Sequence, residues 1–221
     1  MKWKGFRDER ATILLDLTKN QEELWNNIDK DAKWGIKKAE KEGLVVKESE
    51  EETELKKFYE IYKETCIFGG ITPLNLEKIK KMNAKFFFCY KDGLLIAGNA
   101  IIIENNDKFR LFLNASSHEY LKFQPNNILY YALIKWGKGK GYKVFDLGGY
   151  QLKAKPGDKL YNINRFKERW GGKIEVYHVY SYNPFYILGR KTIKKSRTAR
   201  WIWDRIKRRP LTIKKNERTE N

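Results

Sequence analysis

Asn162–Gly172 reads NINRFKERWGG, and just upstream Lys143–Tyr150 reads KVFDLGGY. The first stretch is a short helical turn that sets Phe166, Lys167 and Trp170 on neighbouring positions and stops at two glycines. The second is a buried-looking strand, Val144–Leu147, running into a glycine turn. Glycines after a strand let the backbone approach another chain or a ligand closely. Together the two stretches are expected to bring an acid (Asp146), a tight backbone approach (Gly148, Gly149) and a lysine (Lys167) to one strand end. The plainer alternative is a strand, a turn and an amphipathic helix with no chemistry attached.

Around this pair the chain alternates between short periodic segments. Ala11–Leu17 (ATILLDL) reads as a strand. Thr18 to Gln21 fits a capping box, in which a hydroxyl and an amide satisfy free backbone N–H groups. Trp25, Ile28, Ala32, Ile36 and Ala39 then recur at helical spacing and predict one helix ending near Glu42 and Gly43. Leu44–Lys47 reads as a strand, Leu55 to Cys66 as a helix closed by Gly69 and Gly70, and Leu76–Met82 as a short helix. Lys85–Tyr90, Leu94–Glu104 and Lys108–Ala115 are rich in β-branched and aromatic residues. Their connectors, Asp92-Gly93 and Asn105-Asn106-Asp107, suit hairpin turns, so an antiparallel meander is expected. Gly98, inside the middle strand, suggests a bulge. Ser116–Asn127 reads as a polar loop, followed by a helix with Ile128, Leu129, Ala132, Leu133 and Trp136 on one stripe, stopped by GKGKG at Gly137–Gly141. Lys173–Tyr182 alternates as a last strand, with Ile174, Val176, His178 and Tyr180 on one side. A meander flanked by helices and further strands predicts an α+β fold: a mixed, mostly antiparallel sheet with flanking helices.

The 221 residues are 41% hydrophobic and 14% aromatic, enough for a substantial core. No run approaches the roughly 18–20 apolar residues of a membrane span. The charged start MKWKGFRDER lacks an apolar leader, which predicts a cytoplasmic protein. Cys66 and Cys89 predict free thiols rather than a disulfide framework. With two histidines, His118 and His178, neither a metal site nor a histidine-based triad is expected. The net charge is +18, of which residues 187–221 carry +10. That excess predicts an anionic partner, nucleic acid or anionic lipid. The tail from Pro184, with Trp201, Ile202 and Trp203 among its basic residues, reads as a basic helix suited to peripheral contact with an anionic membrane.

The element order resembles the GCN5-related N-acyltransferase (GNAT) fold. More narrowly, ILLDLTKNQEELWNNIDKDAKWGIKKAEKEGLVV, DGLLIAGNAIII, LNASSHEY, PNNILYYALIKWGKGKGYKVFDLGGY and INRFKERWGG, in that order, resemble the FemABX family of peptidoglycan bridge-forming aminoacyltransferases over roughly residues 11–182. The resemblance implies transfer of an aminoacyl group from aminoacyl-tRNA to an amine of a cell-wall precursor peptide, without a bound cofactor. It implies Lys167, in the FKxxWGG element, as the catalytic group that stabilises the oxyanion. It implies Asp146, Gly148, Gly149, Tyr150, Arg165 and Phe166 as substrate-binding residues. Because members carry two GNAT-like domains, it implies a remnant of the first domain in residues 1–50, an acyltransferase domain in 51–183 and a basic helix and tail in 184–221.

The chain departs from the family where members hold a substrate's phosphates with an arginine. The stretch ETCIFGGITP (Glu64–Pro73) has no basic residue. It also lacks the glycine loop that would place CoA pyrophosphate on amides at a helix N-terminus, since SSHEYLKFQPNN precedes Ile128. GKGKG follows that helix, at the negative end of its dipole. Two other functions remain open: a different N-acyltransferase using acyl-CoA, and a non-catalytic module binding RNA or membrane.

Overall fold

The computed structural model describes residues 6–181. Within them, the chain runs β1 (Phe6–Asp16), α1 (Gln21–Asn27), α2 (Lys30–Lys41), β2 (Val45–Glu48), α3 (Glu52–Phe68), α4 (Leu76–Lys80), β3 (Lys85–Lys91), β4 (Leu94–Asn105), β5 (Lys108–Ser116), a 3-10 turn (His118–Phe123), α5 (Pro125–Gly139), β6 (Val144–Tyr150), α6 (Lys159–Glu168) and β7 (Lys173–Ser181). The strands form one seven-stranded sheet in the order β2-β3-β4-β5-β6-β1-β7. Of the five pairings with a described register, β5·β6 is parallel and the other four are antiparallel. The expected α+β architecture is therefore the one observed. The basic helix expected from Pro184 lies outside the described residues.

The central strands are apolar on both faces because both faces are covered. In β3, Phe87 and Cys89 join a core with α2 and α5, while Phe86 and Phe88 join a second core with α3 and α4. Such strands read as continuous apolar runs, as KFFFCY does.

Residues 10–176 form one compact unit, and the expected boundary at residue 50 falls inside it. Ile13, Leu15, Ile36 and Ala39 share a single core with Phe109, Leu129 and Phe145. β1 pairs with β6 directly, Ala11 opposite Tyr150 and Leu15 opposite Phe145. β1 and β2 are thus strands of the same sheet as β3 to β7. Outside that unit, Glu9 faces His178 at 3.7 Å.

Three local expectations are corrected. The capping box belongs to Asn20 and Glu23, since the Thr18 hydroxyl is taken up by the Asp16 carboxylate at 2.6 Å. The single helix expected from Trp25 to Glu42 is two, because Asp29 caps α2 by accepting from the Asp31 N–H and donates its own N–H to the Arg169 carbonyl. Gly98 is no bulge: it pairs in register with Phe88 and Ala115, and a Cβ there would lie 2.8 Å from Cδ2 of Phe58. The glycine is needed for close packing of a ring on the sheet.

Candidate active site

β5 and β6 run parallel for three residue pairs, Lys108–Val144, Phe109–Phe145 and Arg110–Asp146, and then part. The cause is visible on the other edge of β6. Between Thr12–Gly149 and Leu14–Asp146, β1 advances two residues while β6 advances three. The extra residue sits at Leu147-Gly148, where Gly148 takes φ +78°, and a bulge of this kind bends its strand.

The DLGG sequence fixes this bend. One Asp146 oxygen accepts from the Gly148 N–H at 2.9 Å and from the Thr12 hydroxyl, while the other meets the Lys108 ammonium at 3.0 Å. Asp146 is thereby a buried, fully engaged structural carboxylate. A side chain at Gly148 would stand 3.2 Å from the Leu111 carbonyl, inside the gap between the two strands.

α6 and the following turn deliver the lysine. Trp170 is completely buried and stacks on Tyr130 (5.3 Å between ring centres, 22°), and Phe166 meets the same ring edge-on at 5.0 Å. Gly171 takes φ +74°, and a Cβ on Gly172 would stand 2.5 Å from Ile13 Cγ2 and 3.0 Å from the Leu14 carbonyl. The WGG residues thus seat α6 against β1 and α5. On this fixed helix Lys167 is only 9% exposed, and its ammonium donates to the Gly149 carbonyl at 2.9 Å. Burial lowers its pKa to about 8, against the opposing pull of the Asp146 charge.

A cleft of about 760 Å³ covers the strand gap. Its floor is Leu111, Phe112, Gly148 and Gly149; its walls come from the end of α3 (Thr65, Phe68), the first turn of α5 (Asn126, Tyr130) and α6 (Asn162, Ile163, Phe166, Lys167). On the β5 side the Asn114 amide donates to Asn99 at 2.7 Å and to Asn126 at 2.9 Å, and Ser116 donates to Asn126 at 2.8 Å. Asn99, Asn114, Ser116 and Asn126 lie in three of the stretches that carry the family resemblance, DGLLIAGNAIII, LNASSHEY and the one beginning PNNILYY, but nothing in those stretches marked them as meeting one another. Glu64 is the only carboxylate lining the cleft among the described residues.

Of the residues expected at the site, Lys167, Phe166, Gly148 and Gly149 line this cleft. Asp146 lies beneath it, committed to the bend. Tyr150 and Arg165 do not line it: Tyr150 donates to Glu168 at 2.7 Å, which ties the end of β6 to α6, and Arg165 pairs with the same carboxylate at 2.6 Å within α6. Hydrogen bonding to that carboxylate, with partial burial, raises the Tyr150 pKa.

The comparisons with known proteins agree with this fold. Residues 2–67 match the FemAB family, and residues 76–168 match the acetyltransferase (GNAT) domain. The first match is to the family of the resemblance, over the first part of the chain. Its sheet superposes on the crystal structure of FemX with a TM-score of 0.68 at 18% identity, covering 80% of this chain and 63% of that one. For L-PGS from Bacillus licheniformis the TM-score is 0.62 at 13% identity, covering 90% and 68%. Among curated proteins, the lipid II:glycine glycyltransferases of Staphylococcus haemolyticus (strain JCSC1435) and Staphylococcus aureus are 27% and 26% identical over 82 residues. Those 82 residues are 37% of this chain and 19% of either relative.

Proposed function

We propose that the chain is an aminoacyltransferase that moves an aminoacyl group from aminoacyl-tRNA to an amine of a cell-wall precursor peptide. The observation that carries this reading is the Lys167 ammonium, buried at the gap between β5 and β6 and held on the Gly149 carbonyl. An amine attacking an ester creates an oxyanion, and a preorganised cation in a dry site stabilises it more than water can. With a pKa of about 8, Lys167 is charged in about nine molecules of ten at pH 7. One ammonium hydrogen is committed to Gly149, which leaves two to reach an oxygen in the cleft. The ester arrives activated, so the incoming amine needs only to be neutral, and it loses its proton to water.

Similarity to the lipid II:glycine glycyltransferases supports a peptidoglycan-type acceptor. The donor is inferred from the excess of basic residues and from the start of α5, where Gln124 in place of a glycine loop caps the helix without a side-chain bond. On this reading the protein works in the cytoplasm, at the inner face of the membrane where both substrates meet. Incubation with charged tRNA carrying a labelled amino acid and a lipid II-type acceptor should transfer label, while labelled acetyl-CoA should transfer none. Transfer from acetyl-CoA alone would replace this reading with acetyl transfer, and no transfer from either would leave a binding module.

A further inference from the structure

The mouth of the cleft is apolar to an extent its floor does not require. Ile67 is 74% exposed, Phe68 69% and Ile71 62%, all at the end of α3 and the turn after it. Leu121 in the 3-10 turn and Leu160 and Ile163 on α6 are also exposed. Phe68, Ile71, Leu121 and Ile163 all border the one opening. The Lys159 ammonium ties two of these segments together, donating to the Phe68 carbonyl at 3.1 Å and lying 4.7 Å from the Phe68 ring centre. Large side chains gathered this way on a soluble surface mark a contact site.

We infer that this rim docks on an anionic lipid bilayer, so that the cleft opens onto the membrane surface. The proposal rests on the acyltransfer reading only for its purpose, since the rim would then present the cleft to an acceptor anchored in that membrane. The charge at the opening selects the partner: Arg110 and Lys159 border it against one carboxylate, Glu64, with the Lys167 ammonium below. Apolar side chains that enter the headgroup layer, flanked by lysines that meet anionic headgroups, are the two components of interfacial binding. The tail, with Trp201, Ile202 and Trp203 beside its basic residues, has an apolar component of its own, so the rim's share is the salt-resistant binding that rim substitutions remove. Rim binding has a component that salt does not remove.

The test is co-sedimentation of the full chain with phosphatidylglycerol/phosphatidylcholine vesicles and with pure phosphatidylcholine, at 0.1 and 0.5 M salt. Wild type should bind the anionic vesicles and keep part of that binding at 0.5 M. Ile67→Ser/Phe68→Ser/Ile71→Ser should lose about tenfold or more of the salt-resistant binding, as burial of three large apolar side chains requires. Phe68→Trp should retain it, and so should Trp34→Ser, which removes an equally exposed ring outside the cleft. All substituted side chains are exposed, so melting temperatures should match wild type. Failure of the wild type to bind, binding by the triple variant equal to wild type, or a wild-type dimer that the triple variant dissolves would each overturn the proposal. Vesicle binding is read without any transfer reaction, so it can fail while acyl transfer from a soluble substrate analogue stands, and the converse.

Discussion

The Lys167 ammonium sits 2.9 Å from the Gly149 carbonyl, 18 residues away along the chain, and this bond fixes a cation at the one place where two parallel strands part. Lys167→Met keeps most of the volume and removes the charge. Transfer should fall about a hundred- to thousand-fold, the usual value of one oxyanion donor. Lys173→Met, on the exposed edge strand, should leave the rate within a few-fold. Equal losses in both would assign the effect to overall charge on tRNA binding.

The lowered pKa of Lys167 sets the sign of a stability effect. Below about pH 8 both folded and unfolded chains hold the proton, and the native state bears the full cost of burying it. Between about 8 and the ordinary lysine value of 10.5 the unfolded chain binds more protons, so native stability contributed by this group rises with pH. A shift of this size corresponds to about 3 kcal/mol. Denaturant melts should find Lys167→Met no less stable than wild type at pH 7, with wild type gaining on the variant by pH 10. The rate ratio of wild type to variant should shrink over the same rise, since the ammonium disappears as pH passes about 8. A ratio constant from pH 6.5 to 9.5 would contradict the role of the charge.

Gly148→Ala places a Cβ 3.2 Å from the Leu111 carbonyl and demands φ +78° of a residue with a side chain. Strain of this kind costs about 1–3 kcal/mol. The melting temperature should drop, and transfer should drop further than the melting temperature explains, because the methyl group projects into the gap. Gly139→Ala, with open space around its Cβ, is the control.

A fragment starting at residue 51 should not fold. It lacks β1, which lies inside the sheet between β6 and β7, and it lacks α2, which packs against α5. Circular dichroism and proton chemical-shift dispersion would decide, and a cooperatively melting fragment would reinstate the boundary at residue 50.

Both cysteines are free and buried, and burial pushes the Cys89 thiol up to about 12. A thiol reagent should find almost no reaction in the native protein and two thiols after denaturation without reductant. A count of zero would establish a disulfide.

Strands with strong local patterns were legible in the sequence: Phe86 to Cys89 and Ile101 to Ile103 are β-rich runs between turn residues, and they fold as read. The junction at Ile28-Asp29 was hidden, since apolar spacing continues across it. What breaks the helix is a bond from Asp29 to Arg169, 140 positions further on. The same holds at the site. Lys167 and the glycines could be picked out because two short motifs contain them. Asp146 was assigned to substrate because its partners, Thr12 and Lys108, come from distant strands and only the fold joins them. Tyr150 and Arg165 lie outside the cleft lining, and their positions beside the motif did not reveal that both bond Glu168.

The place of β1 between β6 and β7 has a consequence for how the protein is made. Its first strand leaves the ribosome early and has no neighbour until residues 144–181 follow it. At about 5–20 residues per second, Ile13 and Leu15 wait several seconds with both edges of their strand unpaired. Open apolar edges invite pairing with other chains. Termination between β5 and β6 would therefore release a sheet whose β5 edge is open together with an unpartnered β1, and either can pair with the wrong molecule.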